Sequence, residues 1–151
     1  MITKKPALVV TFAVCALALA VSAVAQRAVE RPFKISGHIT MTVDLTTGDT
    51  EVTDWGEATH GGRFLNQGTG HMDLATGSLT GSGVWTAANG DQIFWESPET
   101  YVVECTGGTG RFENVTGGFV YVPSSNVVIT MPDPNTMVVE FTYRGVGVIT
   151  Y

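Results

Sequence analysis

What most constrains this chain is a strict two-residue alternation of apolar and polar side chains that recurs along its length. From Phe33 onward, Ile35, Gly37, Ile39, Met41, Val43 and Leu45 fall on one face, and Lys34, Ser36, His38, Thr40, Thr42 and Asp44 on the other. Successive side chains of a strand point to opposite faces, so this pattern specifies a long strand with one face buried. The same rhythm returns in residues 64–74, 79–85, 92–96, 101–105, 111–122, 126–131 and 137–151. Thr, Val, Tyr and Trp, which suit a pleated half-buried surface, are abundant in these runs. Beyond the first 25 residues no window has the apolar spacing of an amphipathic helix, and the chain reads as all-β.

Glycine, 18 of the 151 residues, writes the turns. Asp44-Leu45-Thr46-Thr47-Gly48 and Asp73-Leu74-Ala75-Thr76-Gly77 are near-copies, each closing one run and opening another. Asn89-Gly90 predicts a type I′ hairpin. Gly107-Gly108-Thr109-Gly110 makes a further turn, and Pro123, Pro132 and Pro134 mark breaks. About eight or nine strands joined by short sequential connections favour an up-and-down meander, and closing it into a single eight-stranded antiparallel β-barrel removes the exposed edges. A barrel of about eight strands is filled by side chains or holds one small ligand.

The N-terminus carries Lys4 and Lys5, an apolar run from Ala7 to Ala20, and Ala23-Val24-Ala25 before Gln26, the layout of a secretory signal peptide. The expected organisation is a signal peptide over 1–25 and a barrel domain over 26–151, in a secreted or periplasmic protein with no stable membrane insertion after cleavage. Cleavage takes both lysines away and leaves the chain two charges more acidic than its net −6. That balance argues against nucleic acid, whose phosphates need clustered cations. Cys105 is then the remaining cysteine, which excludes an intrachain disulfide and a cysteine-based zinc cluster and suits a buried thiol.

Gly107-Gly108-Thr109-Gly110-Arg111-Phe112-Glu113-Asn114-Val115-Thr116-Gly117 resembles the glycine turn and following strand of the allene oxide cyclase family, a turn that recurs in dirigent proteins. Ala58-Thr59-His60-Gly61-Gly62-Arg63-Phe64 and the stretch from Leu79 to Asp91 resemble small secreted bacterial members of that barrel group. The resemblance implies an eight-stranded antiparallel barrel with an apolar cavity, often trimeric. In the plant relatives the cavity steers a lipid epoxide, or a pair of phenolic radicals, into one stereochemical product. The matched motif is a turn, and where dirigent proteins follow it with Ala-Arg-Gly this chain has Val115-Thr116-Gly117, so no site residue is carried over.

Among residues that carry chemistry, His60 and His71 fall on adjacent expected strands, with Asp73 on the face of His71, while His38 lies on a polar face. The histidine spacing matches no zinc signature, and neither a metal nor a cofactor is expected. Glu96 and Glu104 fall on strands that pair if the order is sequential; the expected arrangement is a solvated outer pair, and a buried one would serve as acid or base. His60, His71 and Glu104 are the weak catalytic candidates. Trp85, Trp95, Tyr101 and Phe112, with Phe64, Phe141 and Tyr143, are the expected lining of one cavity, since small-ligand sites use aromatic walls with few polar groups. Gly68-Thr69-Gly70 and Gly81-Ser82-Gly83 lack the strand-to-helix context of phosphate loops and read as kinks or bulges. The leading functional expectation is a secreted barrel, homotrimeric by the resemblance, that binds a small apolar or phenolic molecule and steers its cyclisation as an isomerase would. The alternative is a non-catalytic structural or interaction protein of the cell envelope.

Overall fold

The computed structural model describes residues 28–151, so the signal-peptide segment and Cys15 lie outside the described residues. The strands are β1 (Glu30–Asp44), β2 (Asp49–Ala58), β3 (Gly62–Met72), β4 (Leu79–Ala87), β5 (Gln92–Ser97), β6 (Val102–Gly108), β7 (Thr116–Pro123), β8 (Val128–Asp133) and β9 (Thr136–Thr150). Every pairing is antiparallel, and β1 to β7 follow one another in sequence order. Then β9 pairs with β7 on one side and β1 on the other, closing an eight-stranded barrel, with β8 as an extra strand.

The closing seam runs from Glu30 opposite Thr150 to Asp44 opposite Thr136, the full length of both strands. Because β1 takes one edge of β9 throughout, β7 and β8 share the other. β7 covers it from Thr150 to Tyr143, and β8 follows from Glu140 to Thr136. All six residues of β8 are exposed.

Alternation becomes burial as the sequence requires. Phe33, Ile35, Ile39, Met41 and Val43 of β1 join Phe64, Trp85, Ile93, Trp95, Val103, Phe119, Phe141, Tyr143 and Ile149 in one core inside the barrel. β2 is the strand with the weakest apolar signal, because its inward phase carries Thr50 and Asp54 beside Val52.

The near-copied turns are copies in space. Gly48 N–H donates to the Asp44 carbonyl and Gly77 N–H to that of Asp73, both at 2.7 Å, with the glycines at φ of 83° and 76°. In each, the aspartate Oδ1 accepts from the backbone two residues on, at Thr46 and Ala75.

Two local expectations are corrected. The Asn89-Gly90 connection is not type I′, which needs positive φ at both central residues. Among the turn residues only Gly90 has it, at 87°, while Gly90 N–H donates to Ala87 O and Ala87 N–H to Asp91 O. This is a type I turn closed by a left-handed glycine. The run read as a strand from Arg111 begins instead with a 3₁₀ turn, Gly110–Phe112, and β7 starts only at Thr116. Gly110 at φ 58° and the bonds from Phe112 N to Thr109 O and from Val115 N to Phe112 O hold that turn.

The glycines of β3 and β4 are not bulges, since Gly68 faces Gly83 and Gly70 faces Gly81 in unbroken register. A Cβ at Gly68 or Gly83 would stand 2.7 or 2.6 Å from Cζ2 of Trp95, so their bareness makes room for that indole.

Candidate functional site

A cavity of about 360 Å³ occupies the barrel interior. Its wall is mainly apolar, from Ile39, Met41, Val52, Trp85, Trp95, Val103, Val139 and Phe141, with Asp54, Asn66, Tyr121 and Tyr143 as its chief polar members. Tyr101, Val127 and Ile129 stand at its exposed end. Trp85 stacks on Trp95 at 5.8 Å and on Phe119 at 5.2 Å between ring centroids.

Asp54 sits among these groups at 4% exposure. Tyr143 O–H donates to its Oδ2 at 2.8 Å. Gly37 of β1 makes space for the pair: a Cβ there would meet Asp54 Oδ1 at 2.7 Å and Tyr143 Cε1 at 3.0 Å. Burial penalises the carboxylate and pushes the Asp54 pKa up to about 7, against weaker opposing pulls from Tyr143, Asn66 and Trp85. Near neutral pH this acid is therefore present in both protonation states, the condition for donating or accepting a proton. Burial, reinforced by the Asp54 charge and the bond to it, raises the Tyr143 phenol far beyond its ordinary range. Burial also lifts Tyr121 to about 12. Both phenols stay protonated and act as hydrogen-bonding groups.

Tyr101, Tyr121 and Tyr143 form a file from the exposed end to Asp54, with ring centroids 5.4 Å apart at each step. Tyr101 has φ of 71°, rare for a residue with a Cβ, and its carbonyl accepts from Tyr121 N at 3.0 Å. Across the cavity, Trp95 Nε1–H donates to Asn66 Oδ1 at 2.8 Å.

Of the expected ligand-binding residues, Trp85, Trp95 and Tyr101 are brought together on this cavity, with Phe141 and Tyr143. Phe112 stands elsewhere. The 3₁₀ turn drives it into the core, where it packs on Tyr151 and borders a small void of about 20 Å³ shared with Phe33, Phe64 and Ile93. Trp85 borders both spaces and separates them.

The three weak catalytic candidates lie away from the cavity. His60 occupies the β2–β3 turn at φ 68°, its Nε2 3.1 Å from Pro32 O. His71 is at the other end of β3, 3.6 Å from Asp49 Oδ1, so the two histidines do not face each other. Glu104 pairs with Glu96 between β5 and β6, and both are exposed on the outer wall. Cys105 points inward and is buried, and burial pushes its thiol up to about 12.

Sequence reasoning missed Asp54. The available signal is its phase: counted back from Trp55, an outward residue, Asp54 falls on the inward side with Val52 and Thr50.

No family model and no curated protein matches the chain. Among solved structures it is similar to one described as a pterocarpan synthase dirigent protein, at 14% identity and a TM-score of 0.48, over 81% of this chain and 86% of that one.

Proposed function

We propose that this protein is an exported barrel that binds a small, largely apolar molecule in its interior and steers a proton-dependent rearrangement of it, such as a cyclisation. The observation that carries the reading is a single buried carboxyl group, Asp54, in an aromatic-walled cavity of about 360 Å³. Such a wall binds by excluding water and holds the ligand in few orientations, while the acid titrates at about 7 and exchanges a proton with the bound molecule. Rigid confinement selects among products that would otherwise form together.

The test is native mass spectrometry of protein purified from the culture medium or periplasm, followed by release of any bound molecule and by competition among apolar probes such as 1-anilinonaphthalene-8-sulfonate. Stoichiometric, mutually displaceable binding is expected. Failure of every apolar probe to bind would sink the reading.

The outer wall favours a second reading, an interaction protein. Trp55 and Leu65, register partners facing outward, are 62% and 67% exposed, and Val122 is equally bare. A scaffold presenting these exposed apolar side chains to further copies, as in a trimer, needs no chemistry in its interior. Light scattering at several concentrations, with Trp55→Ser as the comparison, tests it: a monomer at all concentrations counts against self-association.

A further inference from the structure

Asp54, 4% exposed, has only neutral groups around its carboxyl. Tyr143 O–H of β9 donates to Oδ2, and Asn66 of β3 and Trp85 of β4 lie against it. From β7 comes Tyr121, a phenol that stays protonated. β1 adds Ile39 and Met41, β5 Trp95 and Ser97, and β6 Val103, none of them charged. A carboxyl group withdrawn from water is as a rule paired with a cationic side chain. Here none is within reach, since no Lys, Arg or His lines the cavity. Among the described residues the cationic side chains are engaged or placed elsewhere. Arg31 lies 5.0 Å over the Tyr151 ring, Arg63 is 4.0 Å from Glu57 and Arg111 3.4 Å from Asp91, while Lys34 and Arg144 are exposed on β1 and β9.

The entrance has the same sign. Tyr101, Val127 and Ile129 stand at the end of the barrel where β1 joins β2, β3 joins β4, β5 joins β6 and β8 joins β9. Those connections and the strand ends beside them carry Asp44, Asp49, Asp73, Glu99 and Asp133, all exposed, with no Lys or Arg. His71, 3.6 Å from Asp49, is the basic side chain there. Carboxylates around an opening in a low-dielectric wall gather cations and turn anions away. Inside, the rings of Tyr101, Tyr121, Tyr143, Trp85 and Trp95 line the cavity, and an aromatic face attracts a cation without a hydrogen bond. An acidic entrance alone would mark no site. The uncompensated acid within an aromatic cavity is what gives the ligand its charge.

Resting on the reading of the cavity as a ligand site, we infer that its ligand is a cation, an apolar skeleton bearing a protonated or quaternary amine. The amine is the counter-charge to Asp54 that the cavity wall itself lacks. It lies against the aromatic faces and need not touch the carboxyl, because opposite charges attract over several ångströms where water is excluded. A neutral molecule of the same shape leaves the acid unpaired, and an anion adds a like charge to a dry cavity. No covalent bond changes on binding.

The test compares phenyltrimethylammonium, tert-butylbenzene and benzenesulfonate, a cation, a neutral molecule and an anion of nearly one shape, by isothermal calorimetry with the full folded protein. In the wild type at about pH 8 the cation should bind about tenfold tighter than tert-butylbenzene, and the anion about tenfold weaker. Asp54→Asn should remove the cation's advantage while leaving tert-butylbenzene within about twofold, a control that also reports an intact cavity. The cation favours the ionised carboxyl, and its own charge is fixed. Its affinity should therefore rise about tenfold from about pH 5.5 to 8.5 in the wild type and in His71→Asn, and stay flat in Asp54→Asn. Equal or tighter binding of the neutral probe, a preference for the cation that survives in Asp54→Asn, or a pH response lost in His71→Asn overturns the inference while the apolar site stands. If none of the three binds, the ligand-site reading falls with it. Should Asp54→Asn fail to fold by circular dichroism, the wild-type pH response decides: a rise for the cation with none for tert-butylbenzene supports the inference, and equal profiles overturn it.

Discussion

Tyr143 on β9 donates its phenolic proton to Asp54 on β2 at 2.8 Å, and the strand between them, β1, passes through Gly37 at the crossing. Gly37 is the register partner of Tyr143 and adjoins the row of Asp54, so its missing side chain lets two bulky inward groups meet. A methyl group there would strike Asp54 Oδ1 and Trp55 O, each at 2.7 Å, and the second is backbone that has little freedom to move. Gly37→Ala is expected to cost on the order of 2 kcal/mol and lower the Tm by roughly 5–10 °C. An unchanged melting curve would show that the pair tolerates a neighbour.

Stability should depend on pH through Asp54. Its folded pKa of about 7 lies above the ordinary 3.8, so the folded chain holds this proton more tightly than the unfolded one. The contribution is fully present below about pH 4 and is lost as the pH rises through 7. Relative to its value at pH 4, wild-type stability at pH 8 should fall behind that of Asp54→Asn by about 2–4 kcal/mol, measured by urea unfolding. Asp44 and Asp73, whose carboxyls are held low by hydrogen bonds from Thr46 and Ala75, act alike in both proteins and cancel from the difference. Parallel pH profiles for the two proteins would remove Asp54 as the titrating group.

Asn66 is the acceptor that keeps the Trp95 indole satisfied in an apolar wall. Asn66→Leu leaves a buried N–H unpaired and should cost about 1–3 kcal/mol, seen as a lower urea midpoint at unchanged slope. No loss would mean that Trp95 finds another acceptor.

Cys105 should behave as a core residue. Its thiol, pushed up to about 12 by burial, is neither ionised nor reachable at pH 8. Modification by a thiol reagent should be about a hundredfold slower than in urea and should follow the opening of the barrel. Rapid labelling of native protein would place Cys105 on a mobile wall.

Much of this architecture is legible in the sequence because a closed barrel of short connections writes itself as alternation and punctuation. Ile35, Ile39, Met41 and Val43 announce their strand and their facing. What stays hidden has physical causes. β2 carries Thr50 and Asp54 in its inward phase, so the strand that holds the acid lacks the pattern that would reveal it. Phe112 falls in the phase of the outward residues Val120 and Val122 of β7, but Gly110 turns the chain into a 3₁₀ loop first and sends the ring into the core. Residues 126–131 read as one more stave. Yet β9 is fully paired with β1 on one edge and half covered by β7 on the other, leaving β8 only the remainder. Aromatic side chains at Trp85, Trp95 and Tyr101 are conspicuous in any reading.

The seam between β1 and β9 brings the beginning and the end of the barrel side by side, Glu30 against Thr150. The first strand must wait for the last before its second edge is paired, so closure is a late, non-local event, which puts this chain among slow folders. The same adjacency makes the order of the strands dispensable. A short peptide bridging the two ends, with new ends cut at the exposed Asn89-Gly90 turn, should rebuild the same barrel from a permuted chain.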